Sequence, residues 1–141
     1  ALGITEVADA PSYDQRFYWG VDNPKDLAGL KTQWSDTQTA IAASLLAPSD
    51  WRVIKAKETG TNIPSTWKTY RAAIRTACNT RQTEINAVAD VPALKELFFG
   101  EATITRQQTD SEGAGVVDED NKPVMETVAN PALATAWPTP I

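Results

Sequence analysis

Histidine is absent from the 141 residues. That removes every His-based catalytic triad, every HExxH metalloprotease site and the side chain most often used for proton transfer near neutrality. One cysteine, Cys78, excludes an internal disulfide and, without histidine beside it, a conventional zinc site. No apolar run approaches the roughly 18 residues of a membrane-spanning helix. The first ten residues carry neither a basic start nor an apolar core, so no secretory signal is expected. Basic residues are in the minority, 13 against 18 acids, for a net charge of −5. A dominant nucleic-acid role needs a concentrated Lys/Arg surface and is therefore not expected. No acid–base constellation suggests another mechanism. The sequence reads as non-catalytic, with no cofactor, metal, membrane, nucleic-acid or small-molecule partner.

What the chain does have is aromatic and helical. Five Trp and a 42% apolar share support a real core. Residues 1–23 read as an extended aromatic arm, in which Tyr13, Phe17, Tyr18 and Trp19 are candidate anchors for a partner protein or for the chain's own helices. A helix is predicted over Pro24–Leu46: Asn23 as N-cap, Pro24 in the first turn and Asp26 at the positive dipole end. Leu27, Leu30, Trp34, Ile41 and Leu45 give one apolar stripe, interrupted at Thr37 and Gln38. Residues 49–64 read as an ordered connector whose Trp51, Val53 and Ile63 tuck between the helices.

A second helix is predicted over Ser65–Ala89, antiparallel to the first. Its apolar face is Trp67, Tyr70, Ile74, Ala77, Cys78, Ile85 and Val88, with Arg81 where an aliphatic residue is expected and Arg71 and Arg75 along one edge. Cys78 on this face reads as a small buried hydrophobe. Asp90 caps a short third helix, Val91–Phe99, that Gly100 ends. Beyond it, Thr103–Thr109 reads as a strand, with either Val116–Val117 or Pro123–Met125 as its return. A Pro-rich tail, residues 129–141, carries one candidate anchor, Trp137. The expected fold is thus mainly α: a helical domain over 24–100, a polar β-hairpin over 101–128 and extended terminal arms. No repeat of useful period is read.

The acidic segment Asp110–Asp120 only faintly matches a calcium loop. With Asp110 first, Ala114 falls at a ligand position and Asn121 at the last, so an acidic hairpin tip is the better reading. Gly113 and Gly115 lack the strand–turn–helix setting of a dinucleotide loop.

Two stretches carry most information. Leu45-Leu46-Ala-Pro-Ser49-Asp50-Trp51 ends the first helix in a capping turn. Pro64-Ser-Thr-Trp67-Lys-Thr-Tyr70-Arg71-Ala-Ala-Ile74-Arg75 places its aromatic and basic residues on adjoining helical rows. Antiparallel helices would bring Trp51 against Tyr70, and Asp50 either to Arg71 or into a local cap. The pattern resembles the tail assembly chaperone-like domains of tailed bacteriophages, with Asp50, Trp51, Trp67, Tyr70, Arg71, Ile74 and Arg75 at the matching positions, over roughly residues 30–90.

The resemblance implies a phage tail or tail-fibre protein, located in the virion and assembled in the host cytoplasm, whose partners are other tail or fibre subunits in a symmetric assembly. Its arms are expected to dock on those subunits, so deleting residues 1–20 is expected to leave the helices folded but abolish assembly; global unfolding instead would mean that the arm belongs to the core. A transient assembly chaperone is the second expectation. A small acidic regulatory or cation-binding module is the third.

Overall fold

A computed structural model describes residues 12–141, so residues 1–11 of the expected arm lie outside the described residues. The fold is mainly α. Two short antiparallel strands, β1 (Tyr18–Gly20) and β2 (Asn23–Pro24), precede helix α1 (Leu27–Leu46). A single 3-10 turn, Ala47–Ser49, leads into helix α2 (Asp50–Thr59), followed by α3 (Ser65–Ala87) and α4 (Val91–Phe99). Strands β3 (Thr103–Gln107) and β4 (Met125–Ala129) pair antiparallel, Thr103 opposite Ala129.

Three expectations about boundaries are corrected. Helix α1 starts at Leu27, not Pro24, because the Asp26 carboxylate accepts the Gly29 N–H at 3.0 Å and takes the N-cap role. Asn23 and Pro24 instead pair with β1. Residues 50–59 are a helix rather than a connector: Pro48 interrupts the path for only one turn, and the good helix formers that follow propagate until Gly60, at φ 69°, ends the segment in the left-handed region. The return strand is Met125–Ala129: of the two segments expected to supply it, Pro123–Met125 leads into it, Met125 pairing with Gln107 and Val124 O accepting from Gln108 N, whereas Val116–Val117 does not.

Helices α1 and α3 form the antiparallel hairpin, stitched by a polar ladder. The Lys31 ammonium donates to the Asn86 carbonyl at 2.9 Å, Gln82 donates to Ser35 O and Thr39 Oγ1, and Arg81 donates to Gln38. One core lies at the α4 end, where Phe17, Leu30, Ile85, Val91, Leu94 and Leu97 are buried together. A smaller one, Ala42, Ile74 and Cys78, lies toward the other end. Arg81 and Gln38 sit in the polar layer of the hairpin, where the apolar stripes of α1 and α3 are both interrupted. The Arg81 Nε–Gln38 Oε1 bond is 2.7 Å, and Gln38 is 1% exposed.

The arm is not extended where it is described. Asp14 O accepts the N–H groups of Phe17 and Tyr18, and its carboxylate accepts three bonds from Arg16, at 2.7–3.0 Å. This turn drives Phe17 fully into the core, stacked on Trp34 at 5.3 Å. The Arg16 side chain, beside Asp14, holds that carboxyl down to about 2 from its ordinary 3.8. A carboxylate depressed in the folded state adds stability above its unfolded value and loses it as pH falls toward the folded one. An NMR titration is therefore expected to place the Asp14 midpoint near 2, and Arg16→Ala to return it toward 3.8.

Between β3 and β4 the chain builds a three-way junction. Gln108 N donates to Val124 O, Val124 N to Val116 O, and Val116 N to Gln108 O, at 2.7–2.9 Å, closing a ring of three backbone bonds. Two like turns project from it. In one, Asp110 Oδ1 accepts from the amides of Glu112 and Ala114; in the other, Asp118 Oδ1 accepts from Asp120 and Lys122. Gly113 and Asn121 occupy the matching left-handed positions, φ 86° and 60°, which glycine and asparagine tolerate best. Asp110/Asp118 and Gly113/Asn121 are both eight residues apart. The segment Asp110–Val117 is thus followed by a degenerate copy, Asp118–Met125, in which the Asp, the left-handed position and the apolar pair (Val116-Val117, Val124-Met125) recur while the residues between them differ.

Candidate protein-docking face

The junction of α1, α2 and α3 is held by one side chain. Arg71, on α3, donates through Nη1 to the Leu46 carbonyl at 2.9 Å and to Ser49 Oγ at 2.7 Å, and through Nη2 to Asp50 Oδ1 at 2.9 Å. The expected Asp50–Arg71 pair is present. Ser49, 1% exposed, also donates to Leu46 O at 3.1 Å. One guanidinium therefore satisfies the frayed end of α1 and fixes the start of α2. Arg71→Ala is expected to destabilise by about 2 kcal/mol, since it leaves buried Ser49 and a helix-terminal carbonyl short of partners. Asp50→Ala, removing a side chain 57% exposed, is expected to cost under about 1 kcal/mol. Urea unfolding of both variants checks the ratio.

The aromatic arrangement differs from expectation. Tyr70 meets Trp67 edge-on at 6.1 Å. Trp51 is instead 52% exposed, and the Arg52 guanidinium lies 4.6 Å from its ring and 4.4 Å from that of Trp67. Trp51 stays half-exposed rather than packing on Tyr70 because residues 50–59 coil as a helix, which turns successive side chains by about 100° per residue. Arg52, which stands in no motif of the sequence, ties α2 to α3 by cation–π contact with Trp67. Its Nε, buried without an acceptor among the described residues, sits between these two rings.

Helix α2 has no buried residue. Trp51, Val53 and Ile54 are 52%, 40% and 59% exposed, so neither Trp51 nor Val53 tucks between the helices. At about 100° per residue, Trp51, Ile54, Lys55 and Glu58 form an outer stripe, opposite Val53, Ala56, Lys57 and Gly60. The inner stripe faces α3 across an open groove of about 1010 Å³. Its lining includes Lys57, Lys68, Arg71 and Arg75, and no acid. Ile74, also in the singled-out pattern, is fully buried in the smaller core.

Of the anchors expected to bind partners, Phe17 and Trp137 are used internally. The tail folds back over the hairpin: Ala134 N donates to Leu97 O, and the Thr135 amide and hydroxyl donate to the Glu84 carboxylate at 2.9 and 3.1 Å. Arg81 donates to Thr135 O and lies 5.0 Å from the Trp137 ring and 5.4 Å from Phe98. Burial pushes the Arg81 guanidinium pKa down, opposed by Glu84. Trp137 thereby packs on Ala42, Ile74 and Cys78. Tyr18 is half-buried on the larger core. Only Tyr13, 38% exposed, and Trp19, 67% exposed with the Lys25 ammonium 4.5 Å from its ring, remain outward.

Among the described residues no cluster of His, Cys, Asp or Glu could hold a metal ion, and no described helix is long and apolar enough to cross a membrane. The inner oxygens of Asp110 and Asp118 are occupied by their own turn amides. Comparison with protein-family models, curated proteins and solved structures finds no match.

Proposed function

We propose that the chain is a structural adaptor of a bacteriophage tail, docking on tail, baseplate or tail-fibre subunits through α2. The observation that carries the docking role is a ten-residue helix with no buried residue, held rigidly at its base by Arg71 and showing Trp51 and Ile54 to solvent. An exposed Trp–aliphatic pair on a fixed helix makes a low-entropy anchor. The flanking Lys55 suits an apolar partner pocket with an acid at its edge. The tail setting rests on the resemblance of residues 30–90 to tail assembly chaperone-like domains, whose matching side chains form the Arg71 clasp and the Trp67–Tyr70 contact.

Mass spectrometry of purified particles tests the reading. The protein is expected in them at fixed stoichiometry, and Trp51→Ala/Ile54→Ser is expected to fold normally yet be lost from them. Incorporation of that variant at the wild-type level would exclude α2 as the docking face. Absence of the wild-type protein from particles whose assembly requires it would favour the second reading, a transient chaperone using the same face.

A further inference from the structure

Charge is segregated along this acidic chain. Residues 50–75 hold six Lys/Arg and two Asp/Glu, leaving +4, whereas residues 101–126 hold two and seven, leaving −5. The positive excess converges on the groove between α2 and α3, where Lys57, Lys68 and Arg75 line one wall or the other. The negative excess converges on the two turns of the three-way junction, where Asp110 and Asp118 are committed to backbone amides and Glu112, Glu119 and Asp120 are exposed. Among the described residues none of these three cations or three carboxylates has an ion-pair partner. Apolar surface matches too: Val117, between the turns, is 47% exposed, and Val53 in the groove is 40% exposed. The two features belong to opposite ends of α3. Its 23 residues span about 35 Å; the groove is at its N-terminal end, while the hairpin leaves from α4, packed at its C-terminal end.

We propose that the groove accepts the acidic double turn of a second copy of this chain. Donor and acceptor surfaces differ, so the contact is head-to-tail and leaves one groove and one acidic turn free at the ends of every open assembly. It adds the partner of the inner α2 stripe and rests on the reading of α2 as a binding arm, but uses the side opposite Trp51 and Ile54.

Sedimentation velocity on the full chain tests the pairing. Wild-type protein is expected to associate at about 0.01 M salt and to dissociate at about 1 M, where the screening length falls from about 30 Å to about 3 Å. A groove variant (Lys57→Glu/Lys68→Glu/Arg75→Glu) and a turn variant (Glu112→Lys/Glu119→Lys/Asp120→Lys) are each expected to be monomeric at low salt with unchanged circular dichroism. All six side chains are exposed, and both Asp110 and Asp118 are spared. Mixed together, the two variants are expected to associate again, because the groove variant keeps the intact turn, the turn variant keeps the intact groove, and the reversed groove and reversed turn are themselves opposite in charge. A repulsive-only effect of the substitutions would not produce that restoration.

Wild-type protein that stays monomeric at low salt overturns the proposal. So does association that survives either reversal or is insensitive to salt. If the wild-type chain is monomeric but the groove variant is still lost from particles, the groove binds an acidic segment of another protein. In that case the second-copy assignment fails while the adaptor reading stands.

Discussion

Replacing Phe17 with alanine is expected to lower the unfolding free energy by about 3–5 kcal/mol, the range for truncating a fully buried aromatic. The side chain has no exposed surface, stacks on Trp34 at an interplanar angle of 5° and meets Phe99 edge-on at 5.9 Å. Its loss opens a hole at the meeting point of α1 and α4, with Leu30, Ile85 and Leu94 lining the same core. The midpoint of thermal unfolding is expected to fall by roughly 10 °C or more for a chain of this size. Trp19→Ala, two residues along and 67% exposed, is expected to change stability by under about 0.5 kcal/mol. Equal effects of the two would show the arm to be independent of the core. By the same argument, deleting residues 1–20, which removes Phe17 from the larger core, is expected to destabilise that core rather than leave the helices at wild-type stability; urea unfolding of the truncated chain checks this.

Arg81→Met is expected to cost about 3 kcal/mol, because it leaves the Gln38 amide oxygen buried without its donor and releases the tail carbonyl at Thr135. The consequence extends beyond stability. Trp137 is held by the Arg81 guanidinium and by the smaller core, so the tail is expected to become sensitive to limited proteolysis in the variant. The double change Gln38→Leu/Arg81→Leu removes both polar partners together and is expected to recover much of the loss. A double variant as unstable as Arg81→Met would mean that the tail contacts, not the Gln38 bond, carry the cost. Urea unfolding of the single and double variants distinguishes the two.

Gln38 and Arg81 show how sequence legibility works in this chain. Each was visible as an interruption of an apolar stripe, one on α1 and one on α3. An interruption on a single helix has many explanations; two facing each other at 2.7 Å have one. The Asp50–Arg71 pair was legible for a related reason: both ends of an antiparallel hairpin are fixed once the two helices and their turn are recognised. Arg52 carried no such signal, since its role depends on two indoles lying on either side of it. The groove was likewise illegible, because Pro48 before the segment and Gly60, Asn62 and Pro64 after it give residues 49–64 the pattern of a connector, in which no residue has a defined face.

By itself the sequence determined what is local or compositional. Helical spacing, the Asp90 cap and the Pro/Gly stops fixed α3 and α4 to within a few residues, and the absence of histidine removed His-based triads from this chain at the start. Only the tertiary structure decided which aromatics are spent and which are displayed. Phe17 and Trp137 look no different from Trp19 and Trp51 in the sequence, yet the first two are buried or packed by segments that arrive from far along the chain, and the last two meet no such segment. Helix periodicity is set by neighbours three and four residues away. Burial of a side chain is set by whatever the fold brings to its other side, and for these four residues that is what separates core from candidate interface.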